Sequence, residues 1–264
     1  MLLLLRLMQY PIKEIKLNSK EYPKTLKQIT GPPKQLYCRG NLNLLNTFCF
    51  GVVGTRKLTN YGKEATTAII NGLSGNDITI VSGLALGIDA IAHQTALDNG
   101  LPTIAVLGAG IDDETIYPGE NFKLAKNILK NEGLIISEYP TKTSGFKSNF
   151  PARNRIISGL SKGVLIIEAP EKSGALITAR YATEQNRDIF ALPGNIFSIN
   201  SQGPNMLIRK GAKPVFSAED IIGAYYQNLQ FDLKPKKNIS TKDPVEKKIL
   251  DILNEMGELS SDEI

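Results

Sequence analysis

Between Lys142 and Lys162 the chain reads KTSGFKSNFPARNRIISGLSK, which holds Lys142, Lys147, Arg153, Arg155 and Lys162 and no Asp or Glu. Protein surfaces ordinarily mix signs. Five cations without an anion, interleaved with Phe146 and Phe150, supply charge for a polyanion and rings on which planar bases can stack, and that combination points to nucleic acid. The net charge of +5 agrees with this but is common among proteins of other kinds, so the local clustering says more than the total. A second set of candidate groups sits in short glycine-containing segments: Gly54-Thr55-Arg56, Ser82-Gly83-Leu84-Ala85-Leu86-Gly87, Gly108-Ala109-Gly110, and Ala169-Pro170-Glu171-Lys172-Ser173-Gly174. Glycine lets backbone N–H groups come close to an anion, and a helix that follows offers its positive end. Arg56 adds a planar guanidinium fork suited to phosphate.

These segments recur at regular places in the hydrophobic pattern. Apolar runs at Phe50 to Gly54, Ile78 to Ser82, Thr103 to Leu107, Leu134 to Ser137, Val164 to Glu168 and Ile189 to Leu192 predict strands. Helical patterns fall between them at Asn60 to Leu73, Gly87 to Asn99, Asn121 to Asn131, Pro151 to Leu160 and Ala175 to Arg187. Continuous rather than alternating apolar strands, each followed by a helix, belong to a mostly parallel sheet covered on both faces. The expected fold class is therefore α/β, an extended Rossmann-like doubly wound sheet with a truncated C-terminal helical, winged-helix-like extension. In such sheets ligands bind at the carboxyl ends of the strands, and every segment named above falls there.

The 264 residues, 42% of them apolar, allow one core of this kind with short additions. The expected divisions are a lead-in segment over 1–45, the core over 46–226, a linker over 227–243 and the start of a truncated winged-helix-like module over 244–264. In that last stretch Val245 to Met256 has the pattern of an amphipathic helix and LSSDEI that of a serine-capped helix start. The opening MLLLLRLM is broken by Arg6 and lacks small cleavage-type residues, so it predicts a helix start, or residues read from an upstream start codon, rather than a signal peptide. No apolar stretch has the length of a membrane helix. Cys38 and Cys49 are the two cysteines, in no CxxC pattern, which fits a reducing cytoplasm and argues against a disulfide framework or zinc.

Other ligands fit poorly. The first turn holds Gly51-Val52-Val53-Gly54-Thr55-Arg56, which misses the G-x-G-x-x-G spacing for a dinucleotide, and no G-x-x-x-x-G-K-[ST] occurs. His93 is the single histidine, flanked by Ile91 and Ala92, and reads as structural; Asp89, Asp112 and Asp113 read as loop-capping acids. Neither a metal nor an organic cofactor is expected. The alternative is a nucleotide-binding enzyme of the phosphoribohydrolase type, since Tyr117-Pro118-Gly119-Glu120 and Leu192-Pro193-Gly194 echo that group's turns, but its PGGxGTxxE motif is absent.

Taken together, VGTRKLTNYG, VSGLALGIDAIAH, AVLGAGIDDETIYPGEN, FPARNRIISGLS and EAPEKSGALITARYATEQNRDIFALPGN, in this order between Val53 and Asn195, resemble the DNA-processing protein A (DprA/Smf) family. The resemblance implies a bacterial cytoplasmic protein that is no enzyme. It implies binding and protection of single-stranded DNA during natural transformation, loading of the RecA recombinase onto it, and a homodimer formed through the C-terminal part of the core, near 205–222. Carried over residue by residue, it puts the phosphate-binding arginine at Arg56 and DNA contacts at Lys147, Phe150, Arg153 and Arg155. Ser82, Gly83, Gly87 and Lys172 are expected to add contacts from the neighbouring loops. One of Arg153 and Arg155 is expected to pair internally, with Glu138 or Glu168, since both lie near a helix start, where cations are disfavoured.

Overall fold

The computed structural model describes residues 10–226. The opening apolar run, the linker and the final helical module lie outside the described residues. Nine strands form one sheet: β1 (Ile12–Lys16), β2 (Gln35–Gly40), β3 (Phe48–Val53), β4 (Ile78–Ser82), β5 (Thr103–Leu107), β6 (Leu134–Ser137), β7 (Gly163–Ile166), β8 (Asp188–Ala191) and β9 (Lys213–Pro214). Eight α-helices accompany them among the described residues: α1 (Lys24–Lys27), α2 (Asn60–Gly72), α3 (Ile88–Asp98), α4 (Phe122–Lys130), α5 (Asn149–Leu160), α6 (Gly174–Glu184), α7 (Gln202–Arg209) and α8 (Ala218–Tyr226).

Across the sheet the order is β1-β2-β6-β5-β4-β3-β7-β8-β9. From β6 to β9 all neighbours are parallel, whereas β1 on β2 and β2 on β6 are antiparallel. The chain starts the parallel part at β3, winds outward through β4, β5 and β6, then returns to β7 on the other side of β3. That reversal makes a topological switch point between β3 and β7, where a crevice opens beyond the strand ends. Strands β4, β5, β6 and β7 are buried at every residue, as a sheet covered on both faces requires. Alternate residues feed two apolar layers. Ile104, Val106, Leu134 and Ile136 pack with Ile156 and Ile157 of α5 and Ala175 and Ala179 of α6, while Ala105, Leu107 and Ile135 pack with Leu124, Ala125 and Ile128 of α4.

The lead-in expected before residue 46 is in fact part of the sheet, because it supplies β1 and β2. The backbone edge of β6 needs a partner, and the run Leu36-Tyr37-Cys38 needs burial; the antiparallel pairing of β2 on β6 meets both needs. Arg39 of β2 is buried and anchors the strand by donating to Asp113 Oδ1 at 2.5 Å and to the Ile111 carbonyl at 3.3 Å. No helix among the described residues is long and apolar enough to cross a membrane.

Candidate functional site

The loops that follow β3, β4 and β7, with the first turns of α5 and α6, surround a cleft of about 540 Å³ at the switch point. Its cations come from different loops: Arg56 after β3, Lys147 ahead of α5 and Lys172 ahead of α6, all exposed. Asp89 is the one carboxylate among its lining residues, and it is buried. Charge at the mouth is thus of one sign, in a concavity that concentrates its field.

Phe150 stands in the first turn of α5, half-buried. Tyr117, itself 47% exposed, lies against it with ring centroids 5.3 Å apart and planes at 37°. The Arg56 guanidinium carbon sits 5.6 Å from the Phe150 ring centroid, within cation–π range. The ring also rests on Gly108 at the end of β5, where a Cβ would come within 2.9 Å of Phe150 Cδ1. The glycine after β5 thus makes room for an aromatic ring. Phe150 is both a staple for α5 and a surface in the cleft, because its packing on Gly108 fixes a ring that still lines the opening.

Arg56 owes its position to backbone ties. The Thr55 N–H donates to the Glu168 carbonyl at 2.7 Å, extending the β3–β7 pairing, and the Ile88 N–H donates to the Thr55 carbonyl at 3.2 Å. Thr59 begins α2 as its cap, its hydroxyl accepting from the Gly62 N–H at 3.2 Å.

Beneath the mouth lies a buried charged network. Arg153 donates from Nη1 to the Gly83 carbonyl at 2.8 Å and also to the Val106 carbonyl. Asp89 accepts the Gly83 N–H at 3.0 Å. Burial pushes the Asp89 carboxyl up, against the pull of Arg153 and of the Gly83, Gly54 and Ala85 amides. Burial lowers Arg153 to about 10, so it stays charged at neutral pH. His93 is fully buried with Nδ1 2.7 Å from Thr103 Oγ1, and burial together with Arg153 holds it down at about 3, a neutral structural imidazole. Asp112 accepts the Thr115 hydroxyl at 2.7 Å and the Lys142 N–H at 2.6 Å, and Asp113 binds Arg39 and Lys126, so both acids hold loops.

Of the residues expected to touch a ligand, Arg56, Lys147, Phe150 and Lys172 meet in the cleft, with Arg153 in its floor. Arg155 is elsewhere engaged: its Nη1 and Nη2 meet the two Glu138 carboxylate oxygens at 2.7 and 2.6 Å and its Nε donates to the Gly31 carbonyl. Glu138, at the end of β6, therefore takes one of the two arginines of α5, while Glu168 pairs with neither. The Ser82 hydroxyl donates to the Val52 carbonyl at 2.6 Å and the Gly83 N–H to Asp89, so these donors tie the sheet and loop together rather than facing the opening. Gly87 contributes shape: with φ of 85° it turns the chain into α3, and a Cβ there would run into the Thr55 carbonyl. Tyr117 was not foreseen as a lining residue; the signal available was an aromatic beside the proline-glycine turn after β5, and nothing local showed that it reaches α5.

The model of the family described as DNA recombination-mediator protein A matches residues 13–226. The chain is 42% identical over 234 residues to DNA processing protein DprA of Bacillus subtilis, covering 88% of this chain and 75% of that relative. It is 44% identical over 216 residues to protein Smf of Escherichia coli, covering 82% of this chain and 56% of the relative, whose length it therefore spans only in part. The solved structure of DprA from Streptococcus pneumoniae superimposes with a TM-score of 0.76 at 41% identity, covering 84% of this chain and 76% of that one. DNA processing protein A from Helicobacter pylori, whose structure is described as giving insight into a single-stranded DNA binding mode, matches with a TM-score of 0.72 at 37% identity over 82% of this chain and 95% of that one.

Proposed function

Because the chain belongs to the DNA recombination-mediator protein A family, we propose that its cleft binds single-stranded DNA, shields it and delivers it to the RecA recombinase during DNA uptake in the cytoplasm. The observation that carries this is the composition of the cleft: three exposed cations on three loops, no exposed carboxylate, and the Phe150–Tyr117 pair between them. Arg56, Lys147 and Lys172 follow the phosphates while Phe150 takes a base on its face. Nothing in the cleft is arranged to read base edges, so binding is nearly indifferent to sequence. Arg153 contributes charge from the floor, and Gly83 and Gly87 shape the loop above it. Arg155, held by Glu138, serves the fold.

The protein acts here as a binding module rather than a catalyst. It works as a homodimer through the C-terminal part of the core, where Phe216 is 74% exposed. Two assays test the proposal together. A single strand incubated with the protein is expected to resist nuclease digestion, and RecA added afterwards to hydrolyse ATP sooner than on the bare strand. Protection without earlier RecA activity would leave strand binding and remove the loading role. Absence of both would remove the proposal.

A further inference from the structure

One residue ties down both ends of the short turn that carries Arg56. On the near side the Glu168 carbonyl accepts the Thr55 N–H at 2.7 Å. On the far side its carboxylate takes two donors from Thr59: the backbone N–H to Oε2 at 2.9 Å and the hydroxyl to Oε1 at 2.6 Å. The three residues between, Arg56, Lys57 and Leu58, have little freedom left once both flanks are fixed. Two further features belong to the same arrangement. Asn200 Nδ2 donates to the Lys57 carbonyl at 3.0 Å and lies 3.5 Å from Glu168 Oε2, bracing the turn from the loop ahead of α7. Gly62 in α2 has no side chain where a Cβ would strike the Glu168 carboxylate, so the helix is built to admit it.

Glu168 is only 2% exposed, no arginine or lysine pairs with it among the described ion pairs, and it sits behind a rim of positive charge. A carboxylate there works against a polyanion by simple electrostatics. A residue whose only effect were its charge would be improved by neutralisation. The hydrogen bonds argue for a compensating use, since a carboxylate accepts from an N–H and an O–H at once more strongly than an amide can. We propose that Glu168 is a positioning residue for strand binding, acting through Arg56 by holding the Thr55–Thr59 turn in the conformation that points the guanidinium into the cleft. The inference rests on the strand-binding proposal above.

The two accounts predict opposite signs. Glu168→Gln is expected to weaken binding of a labelled oligo-dT strand about tenfold, comparable with one lost charge-assisted contact. The slope of log affinity against log salt should fall by about 0.7, one phosphate contact fewer on a single strand. In an Arg56→Ala background the same substitution should change neither quantity, because the residue through which it acts is gone. Thr59→Val should reproduce the loss and Thr59→Ser, which keeps both donors, should restore wild-type binding; these variants serve if Glu168→Gln fails to fold. Unchanged or tighter binding by a folded Glu168→Gln protein overturns the inference, as does an equal loss with and without Arg56, which would mark a general structural role. If Arg56→Ala itself leaves binding intact, the strand-binding proposal fails first and is recognised as the cause.

Discussion

Arg56 and Arg153 bear the same guanidinium and are used in opposite ways. Arg56 is exposed beside an aromatic ring, so Arg56→Ala is expected to leave thermal unfolding nearly unchanged while lowering single-strand affinity and reducing the salt slope by about 0.7, as read by titration at several salt concentrations. Arg153 is 4% exposed and faces buried Asp89; removing it strands a buried acid, and Arg153→Ala should cost about 3–5 kcal/mol of stability in urea unfolding. Phe150→Ala should cost about 1–3 kcal/mol of binding for each base that stacks on it, with similar losses for thymine and adenine strands. His93 sets a pH dependence. Its ordinary value of 6.5 falls to about 3 in the fold, so below pH 6.5 the unfolded chain takes up a proton that the folded chain refuses. Stability should therefore fall on acidification from pH 6.5, with a slope approaching about 1.4 kcal/mol per pH unit, and the effect should disappear in His93→Gln. Asp89, pushed up, works in the opposite sense, which is why the variant is the proper comparison. A glycine turn and an acid-free run single out Arg56 and Phe150 in the sequence, and the fold brings both to the cleft. The sequence could not show which of Arg153 and Arg155 faces inward, because their partners Val106 and Glu138 are brought in from distant strands.

Helix α5 concentrates the lesson at the level of elements. Within six positions it sends Phe150 to the cleft, Arg153 to the carbonyls of Gly83 and Val106, and Arg155 to Glu138. The helix itself was evident from its apolar spacing, beginning within two residues of the expected start; the division of labour along it comes from the neighbours that each face meets. Strands β4, β5 and β6 fall on the expected residues for a related reason, since a fully buried strand leaves a mostly apolar run, here with Thr79, Ser82, Thr103 and Ser137 as its buried polar members. β1 escaped notice because IKEIK is an edge strand with only Ile15 buried, a pattern too polar to stand out. The loops joining the elements are coupled at Gly87, which lies against Thr55 and Arg56. Gly87→Ala should both lower the melting temperature and weaken strand binding, because the added methyl group must displace the turn that carries Arg56; a variant that melts early yet binds normally would show the two loops to be independent.

At the scale of the whole molecule, the winding of the chain out to β6 and back to β7 gathers the five segments that follow β3 to β7 at one edge of the sheet, and the positive cleft follows from that topology. In the turn that follows edge strand β9, Phe216 is 74% exposed, and Ile196, Phe197 and Ile199 after β8 are exposed as well. For the proposed homodimer, Phe216→Asp should shift sedimentation toward the monomer, with short strands bound as before and long strands, able to span two clefts, bound more weakly. A variant that remains dimeric would move the interface elsewhere. The central claim is met most directly by fluorescence anisotropy of labelled oligo-dT of increasing length, at two salt concentrations, with AMP and duplex as competitors. Tight, length-dependent and salt-sensitive binding that AMP does not displace is the predicted result, whereas binding indifferent to length and readily displaced by AMP would contradict it and favour a small-nucleotide site.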